Sequence, residues 1–181
     1  MHHTSTILAL LFAGFLTACF FTIAECQDLG SGIWHVDYVQ KCEKSIHKFK
    51  FDIKKSKINR THDAYTARIV FDEPFENNYG IRCDVCKIVD GGCKAFQVLS
   101  HDNFVDFVNL YAKKNARAFF DLTGIPLELP VAVGEYEVNN FVFDYSELPE
   151  EGPYGKFCGT CFLIYNMEEV GCVEIYLDFV E

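Results

Sequence analysis

The chain has 181 residues, half of them hydrophobic, with 26 Asp and Glu against 16 Lys and Arg for a net charge of −10. That length fits one domain able to bury a real core. The acidic balance excludes a nucleic-acid binder, whose phosphate contacts need clustered cations. The 18 Phe and 9 Tyr exclude a disordered chain. Nine cysteines are many for a reducing compartment, and an odd number is awkward for a disulfide framework.

Ile7 to Ala24 is an uncharged apolar run of 18 residues, which reads as a secretory signal peptide over residues 1–24. A membrane anchor of this length lies near the lower limit for spanning a bilayer, and no basic cluster flanks it to set an orientation. Small residues at Thr22, Ala24 and Cys26 suit cleavage after Ala24 or after Cys26. The first cut removes only Cys19 and leaves eight cysteines, so parity favours a mature chain of residues 25–181. Such a chain is expected outside the cell or in the lysosome. Asn59-Arg60-Thr61 is an N-glycosylation sequon, which secretion makes usable.

Beyond the leader, alternation dominates. Phe49, Phe51 and Ile53 share one parity against Lys48, Lys50 and Asp52, as in a half-buried strand. Tyr65, Ala67, Ile69 and Phe71 repeat the pattern, and Ile81, Cys83 and Val85 follow. Between Ser100 and Ala112 the spacing turns helical, with Phe104, Phe107, Val108 and Tyr111 at i, i+3, i+4 and i+7. Ser100 or Asp102 is the expected cap of that helix, and a second short turn is expected through Ala116 to Asp121. Gly124-Ile125-Pro126 ends helix. Parity switches between Val138 and Phe141, which predicts a bulge at Asn139-Asn140. The tail reads as a hairpin: Phe157 to Tyr165, a turn over Asn166 to Glu169, then Val170 to Val180. Two-period patterns with one short inserted helix predict an all-β domain, an immunoglobulin-like sandwich or cup.

Two CxxC pairs, Cys83/Cys86 and Cys158/Cys161, raise zinc and redox chemistry. Compact zinc ribbons separate such pairs by 15 to 20 residues, against about 70 here, and secretion oxidises thiols before metal arrives. A redox thiolate belongs at a helix N-terminus, whereas Cys-Gly-Thr-Cys runs into the strand Phe162-Leu163-Ile164-Tyr165. Structural disulfides are the preferred reading. Cysteines three apart on a strand face opposite sides, so Cys158 and Cys161 bond to different partners. No nucleophile elbow, zinc-protease pair or phosphate loop is present. His35, His47, His62 and His101 read as solvated, as do Glu147, Glu150 and Glu151 around Pro149. No enzyme, cofactor or metal is expected. The excess of large apolar residues leaves a filled sandwich and a hollow one both open, with aromatics at Phe104, Phe107, Tyr111, Phe119 and Phe120 suited to a cavity mouth.

The order of motifs resembles a known family. Gly124-Ile125-Pro126, Gly134-Glu135-Tyr136, Phe141-Val142, Leu148-Pro149 and Gly171-Cys172-Val173-Glu174-Ile175 follow one another as in the ganglioside activator proteins. Those are small secreted or lysosomal β-cup proteins of the ML lipid-recognition type. Trp34-x-x-Asp37 with Cys42 is similar to the family's start, and Cys86 and Cys93 to its small loop before the helix. Insect chemosensory relatives are similar in size and cysteine usage.

The resemblance implies Cys42–Cys172 and Cys86–Cys93 disulfides. Two further family bridges are missing, because this chain has no cysteine between Cys93 and Cys158. Cys83 is then expected to bond Cys158 or Cys161, leaving Cys26 for the other. The function implied is non-enzymatic lipid binding and transfer. Acyl chains would lie between two sheets, lined by Phe51, Ile69, Phe71, Phe104, Phe107, Val108, Tyr111, Phe119, Phe120, Tyr136, Phe141, Ile175 and Leu177. The implied partners are a lipid or other hydrophobic small molecule, a membrane surface touched by the helix and the loop Leu122 to Val133, and a lipid-processing enzyme or receptor. The alternative is an extracellular carrier or co-receptor for a pheromone or cuticular hydrocarbon.

Overall fold

A computed structural model describes residues 29–43, 50–58, 63–125 and 129–181. The leader, Cys26, His47, Phe49, His62 and the sequon at Asn59 lie outside those residues. The described chain runs β1 (Leu29–Ser31), β2 (Ile33–Lys41), β3 (Lys50–Lys57), β4 (Asp63–Phe71), β5 (Tyr79–Val89) and β6 (Gly92–His101). Two helices follow, α1 (Phe104–Tyr111) and α2 (Lys113–Thr123). The rest is strand: β7 (Gly134–Phe141), β8 (Glu151–Pro153), β9 (Gly155–Tyr165) and β10 (Glu168–Val180). The fold is β-sandwich-like. A five-stranded sheet ordered β2-β10-β9-β5-β6 faces a three-stranded sheet ordered β3-β4-β7, and β1 pairs β8. All strand pairs are antiparallel.

Three expectations about helices and turns need correcting. The described residues hold two helices rather than one, and Ser100 and His101 belong to β6. The residues from Gly92 to His101 carry no clean alternation, which is why this edge strand escapes the sequence pattern; nearly all of them are exposed. Asn103 caps α1, its Oδ1 accepting from the Asp106 N–H at 3.0 Å. The second helix is eleven residues long and ends at Gly124 in the left-handed region (φ 67°). The tail turn is shorter than expected: Asn166 and Met167, both at positive φ, join β9 to β10 directly, as in a two-residue hairpin turn.

The bulge at Asn139-Asn140 is present. Tyr65 pairs Phe141 and Ala67 pairs Val138, so β7 spends one more residue than β4 across this step, and Asn140 takes φ 57°. That extra residue keeps both Val138 and Phe141 buried in one core cluster despite their opposite parity.

The layer between the sheets is unevenly filled. At one end Trp34, Phe157, Phe179 and Tyr154 pack ring against ring, with centroids 4.7 to 5.5 Å apart, and Phe157 and Phe179 are fully buried. Trp34 Nε1 donates to the Pro149 carbonyl at 2.9 Å, so its one polar atom is satisfied. In the middle, Val36, Ile175 and Leu177 of the large sheet meet Tyr65, Ala67, Val138 and Phe141 of the small one. Toward the two helices the sheets part.

Among the described residues three disulfides pin this arrangement. Cys42–Cys172 ties the end of β2 to the start of β10, Cys83–Cys161 joins facing residues of β5 and β9, and Cys86–Cys93 closes the β5–β6 hairpin. Among the candidates for Cys83, Cys161 is the partner. Cys158, whose expected partner Cys26 lies outside the described residues, is buried and has no disulfide among them. Its place in the register explains this. It lies opposite Cys86, on the other face from the Cys83–Cys161 bridge, and Cys86 is already bonded to Cys93.

Candidate functional site

The gap where the sheets part is an apolar cavity of about 490 Å³. Strand parity builds its walls. Phe51 and Ile53 on β3, and Ala67, Ile69 and Phe71 on β4, alternate inward from the small sheet. Ile81 on β5, Leu163 on β9 and Val173 on β10 face them from the large sheet, with Cys161 of the disulfide among them. The helices form the remaining wall through Phe104 and Val108 of α1, one turn apart, and Ala116, Phe119 and Phe120 of α2.

Eight of the residues expected to bind lipid line this cavity: Phe51, Ile69, Phe71, Phe104, Val108, Phe119, Phe120 and Phe141. Five others lie elsewhere: Phe107, which packs on Tyr111, and Tyr111, Tyr136, Ile175 and Leu177. Tyr111 shares the helical face of Phe104 but lies two turns along the axis, about 10 Å away; it is exposed and packs on Phe107 with centroids 4.8 Å apart. Tyr136 packs edge-on against Phe71, behind the wall. Ile175 and Leu177 point inward but belong to the filled middle of the sandwich, beside Val36 and Val138.

The pattern also carried residues that were missed. Ile53 and Ala67 share the parity of Phe51 and Ile69, and Val173 that of Ile175, so alternation alone could have found them. Phe75 and Val131 could not be found that way. They come from separate loops joined by a two-way backbone bridge, Phe75 N–H to Val131 O at 3.0 Å and the reverse at 2.9 Å.

Few polar groups reach the lining. Asp52 pairs with Lys41 at 3.1 Å across the β2–β3 side. Asn115 is buried, and its side chain is fully engaged: Nδ2 donates to Glu147 Oε2 at 2.8 Å and to the Asp144 carbonyl at 3.0 Å, while Oδ1 accepts from the Asp144 N–H at 2.7 Å. Glu147 was read as a solvated loop residue. It is instead half-buried and caps α2, accepting from the backbone N–H groups of Lys114 at 2.6 Å and Asn115 at 2.9 Å. Burial works against its charge, but those hydrogen bonds prevail and hold the carboxyl below its ordinary range. His101 is exposed, as expected, and its Nδ1 accepts from the Asn103 N–H at 3.0 Å.

This lining is almost wholly apolar. Three of the four CxxC cysteines are committed to disulfides, so the two pairs do not form a four-thiolate metal site. Among the described residues no helix is long and apolar enough to cross a membrane. Exposed apolar side chains include Leu110 and Tyr111 on α1, Leu122 on α2 and Val133 before β7, with others such as Val98 and Met167 on the strands and turns. Comparison with protein-family models finds no match, and comparison with curated proteins finds none either.

Proposed function

We propose that this chain is a secreted, non-enzymatic lipid-binding and transfer protein of the ganglioside-activator type. The observation that carries the reading is the 490 Å³ cavity between the sheets, walled almost wholly by aliphatic and aromatic side chains. Each Å² of acyl surface moved from water into such a site contributes about 25 cal/mol, so a long chain enters without any directional contact. Three disulfides suit an oxidising compartment. Leu110, Tyr111, Leu122 and Val133, exposed beside the helices, are the natural contact with a bilayer from which a lipid is lifted and then presented to an enzyme or receptor. The net charge of −10 weakens attraction to anionic membranes at neutral pH, and carboxylate protonation strengthens it in acid.

Organic extraction of the secreted protein followed by mass spectrometry is the direct test, paired with uptake of an apolar dye by the delipidated chain. A co-extracted lipid and saturable dye uptake are the expected results. Neither lipid nor dye uptake would sink the reading. Transfer of lipid between vesicles that quickens in acid supports the activator role. Tight binding of a small volatile at neutral pH without transfer would replace it with the carrier.

A further inference from the structure

We infer that the cavity opens between α1 and α2 and takes a single-chain amphiphile with an anionic head, which Lys113 and Arg117 receive. The inference rests on the lipid-binding reading and narrows its ligand class. A smaller recess of about 90 Å³ lies between the two helices and the segment Leu129–Val131. It shares Phe75, Phe104, Val108, Ala116, Phe120 and Val131 with the main cavity. Those six side chains stand between the two spaces, so small rotations of them would join the cavity to the surface here.

The polar side chains lining that recess are Asn109, Lys113 and Arg117, and no acidic residue is among them. Lys113 and Arg117 stand one turn apart on the same face of α2. Neither has an ion-pair partner among the described residues. In a chain with ten more acidic than basic residues, two unpaired cations and an amide at an apolar opening select for a negative head. A single-chain amphiphile seats one long tail in the 490 Å³ of the cavity, a count that the stoichiometry below tests.

The test compares palmitate, hexadecyl phosphate and hexadecanol, which share a sixteen-carbon tail, on the delipidated full chain. Titration calorimetry gives affinity, and native mass spectrometry gives stoichiometry. We expect one ligand per chain, and both anions to bind more tightly than the alcohol. The double variant Lys113→Gln/Arg117→Gln should lower the ratio of anion to alcohol affinity by about fivefold or more. The control Lys50→Gln/Lys54→Gln, with the same charge change at exposed positions of β3 opposite in parity to Phe51 and Ile53, should leave that ratio alone. The anion whose preference falls further identifies a carboxylate or a phosphate head. An alcohol bound as tightly as the anions, a ratio indifferent to Lys113 and Arg117, or two tails per chain would overturn the inference while leaving the lipid-binding reading intact. Failure of all three ligands to bind would sink both.

Discussion

The carboxylate of Glu147 and the amide of Asn115 are joined twice, by the Asn115 backbone N–H at 2.9 Å and by its Nδ2 at 2.8 Å. The two residues are 32 positions apart, so a loop carboxylate supplies the cap that Ala112, which makes no side-chain cap bond, cannot give α2. The same helix presents Ala116, Phe119 and Phe120 to the cavity and Lys113 and Arg117 to its opening. Capping and site geometry are therefore linked: whatever loosens Glu147 loosens the cavity wall.

Replacing Glu147 tests that link. Glu147→Gln keeps the shape and removes the charge, and should cost about 1 kcal/mol, the usual worth of a helix cap, in urea unfolding. The sign of the pH dependence follows from the lowered carboxyl pKa. Stability from a depressed carboxylate is fully present above its ordinary value of 4.5 and is lost as pH falls through the lower folded value. The gap between wild type and variant should stay constant down to about pH 5 and close only in stronger acid. A gap that shrinks between pH 8 and 6 would contradict the assignment.

The disulfides should differ in worth according to the loops they close. Cys42 and Cys172 are 130 residues apart, whereas Cys86 and Cys93 are 7 apart. On chain entropy, removing the first bridge should cost about 5 kcal/mol and removing the second about 2 kcal/mol. Unfolding of the two paired Cys→Ser variants under non-reducing conditions measures the difference. Equal losses would mean that local packing rather than loop closure sets their contribution.

Filling the cavity should act on binding more than on folding. Ala116 lines both the main cavity and the recess and is only half-buried. Ala116→Phe would occupy space otherwise taken by about two methylenes of a bound tail, each worth about 0.8 kcal/mol. Affinity for a sixteen-carbon ligand should fall by roughly tenfold, while the thermal midpoint stays near that of the wild type. Unchanged affinity would place the tail elsewhere.

Much of the fold is legible in the sequence, because one wet and one dry sheet face leave a two-residue period. That period located β3, β4, β5 and β10, and its switch located the Asn139-Asn140 bulge. It failed at β6, where an edge strand is solvated on nearly every residue and nothing alternates. The site was legible where parity or helical spacing pointed inward, as at Phe51, Ile69 and Phe104. Periodicity gives direction but not depth, so it could not tell Val173, beside the cavity, from Ile175 and Leu177 in the filled middle. Contacts between distant loops left no local trace at all. Phe75 meets Val131, and Glu147 meets Asn115, only because the sheets have already formed.

Cys158 offers the sharpest chemical test of the register. Parity sets Cys158 and Cys161 on opposite faces of β9, and with Cys161 bonded to Cys83 the Cys158 thiol lies across from Cys86. Burial is the main influence on it and raises its pKa above the ordinary value of 9.0, although Tyr176 and Thr160 hydrogen bonds pull the other way. The reactive thiolate is therefore scarce at pH 8 in the folded protein. Iodoacetamide labelling of the Cys158 peptide should be slow, should still be rising with pH above 9, and should quicken by more than about tenfold in urea. Non-reducing peptide mapping should recover Cys83 joined to Cys161 and Cys158 unbonded. A Cys158 peptide joined to Cys26 or to Cys86 would show that the sulfurs on this face are paired differently.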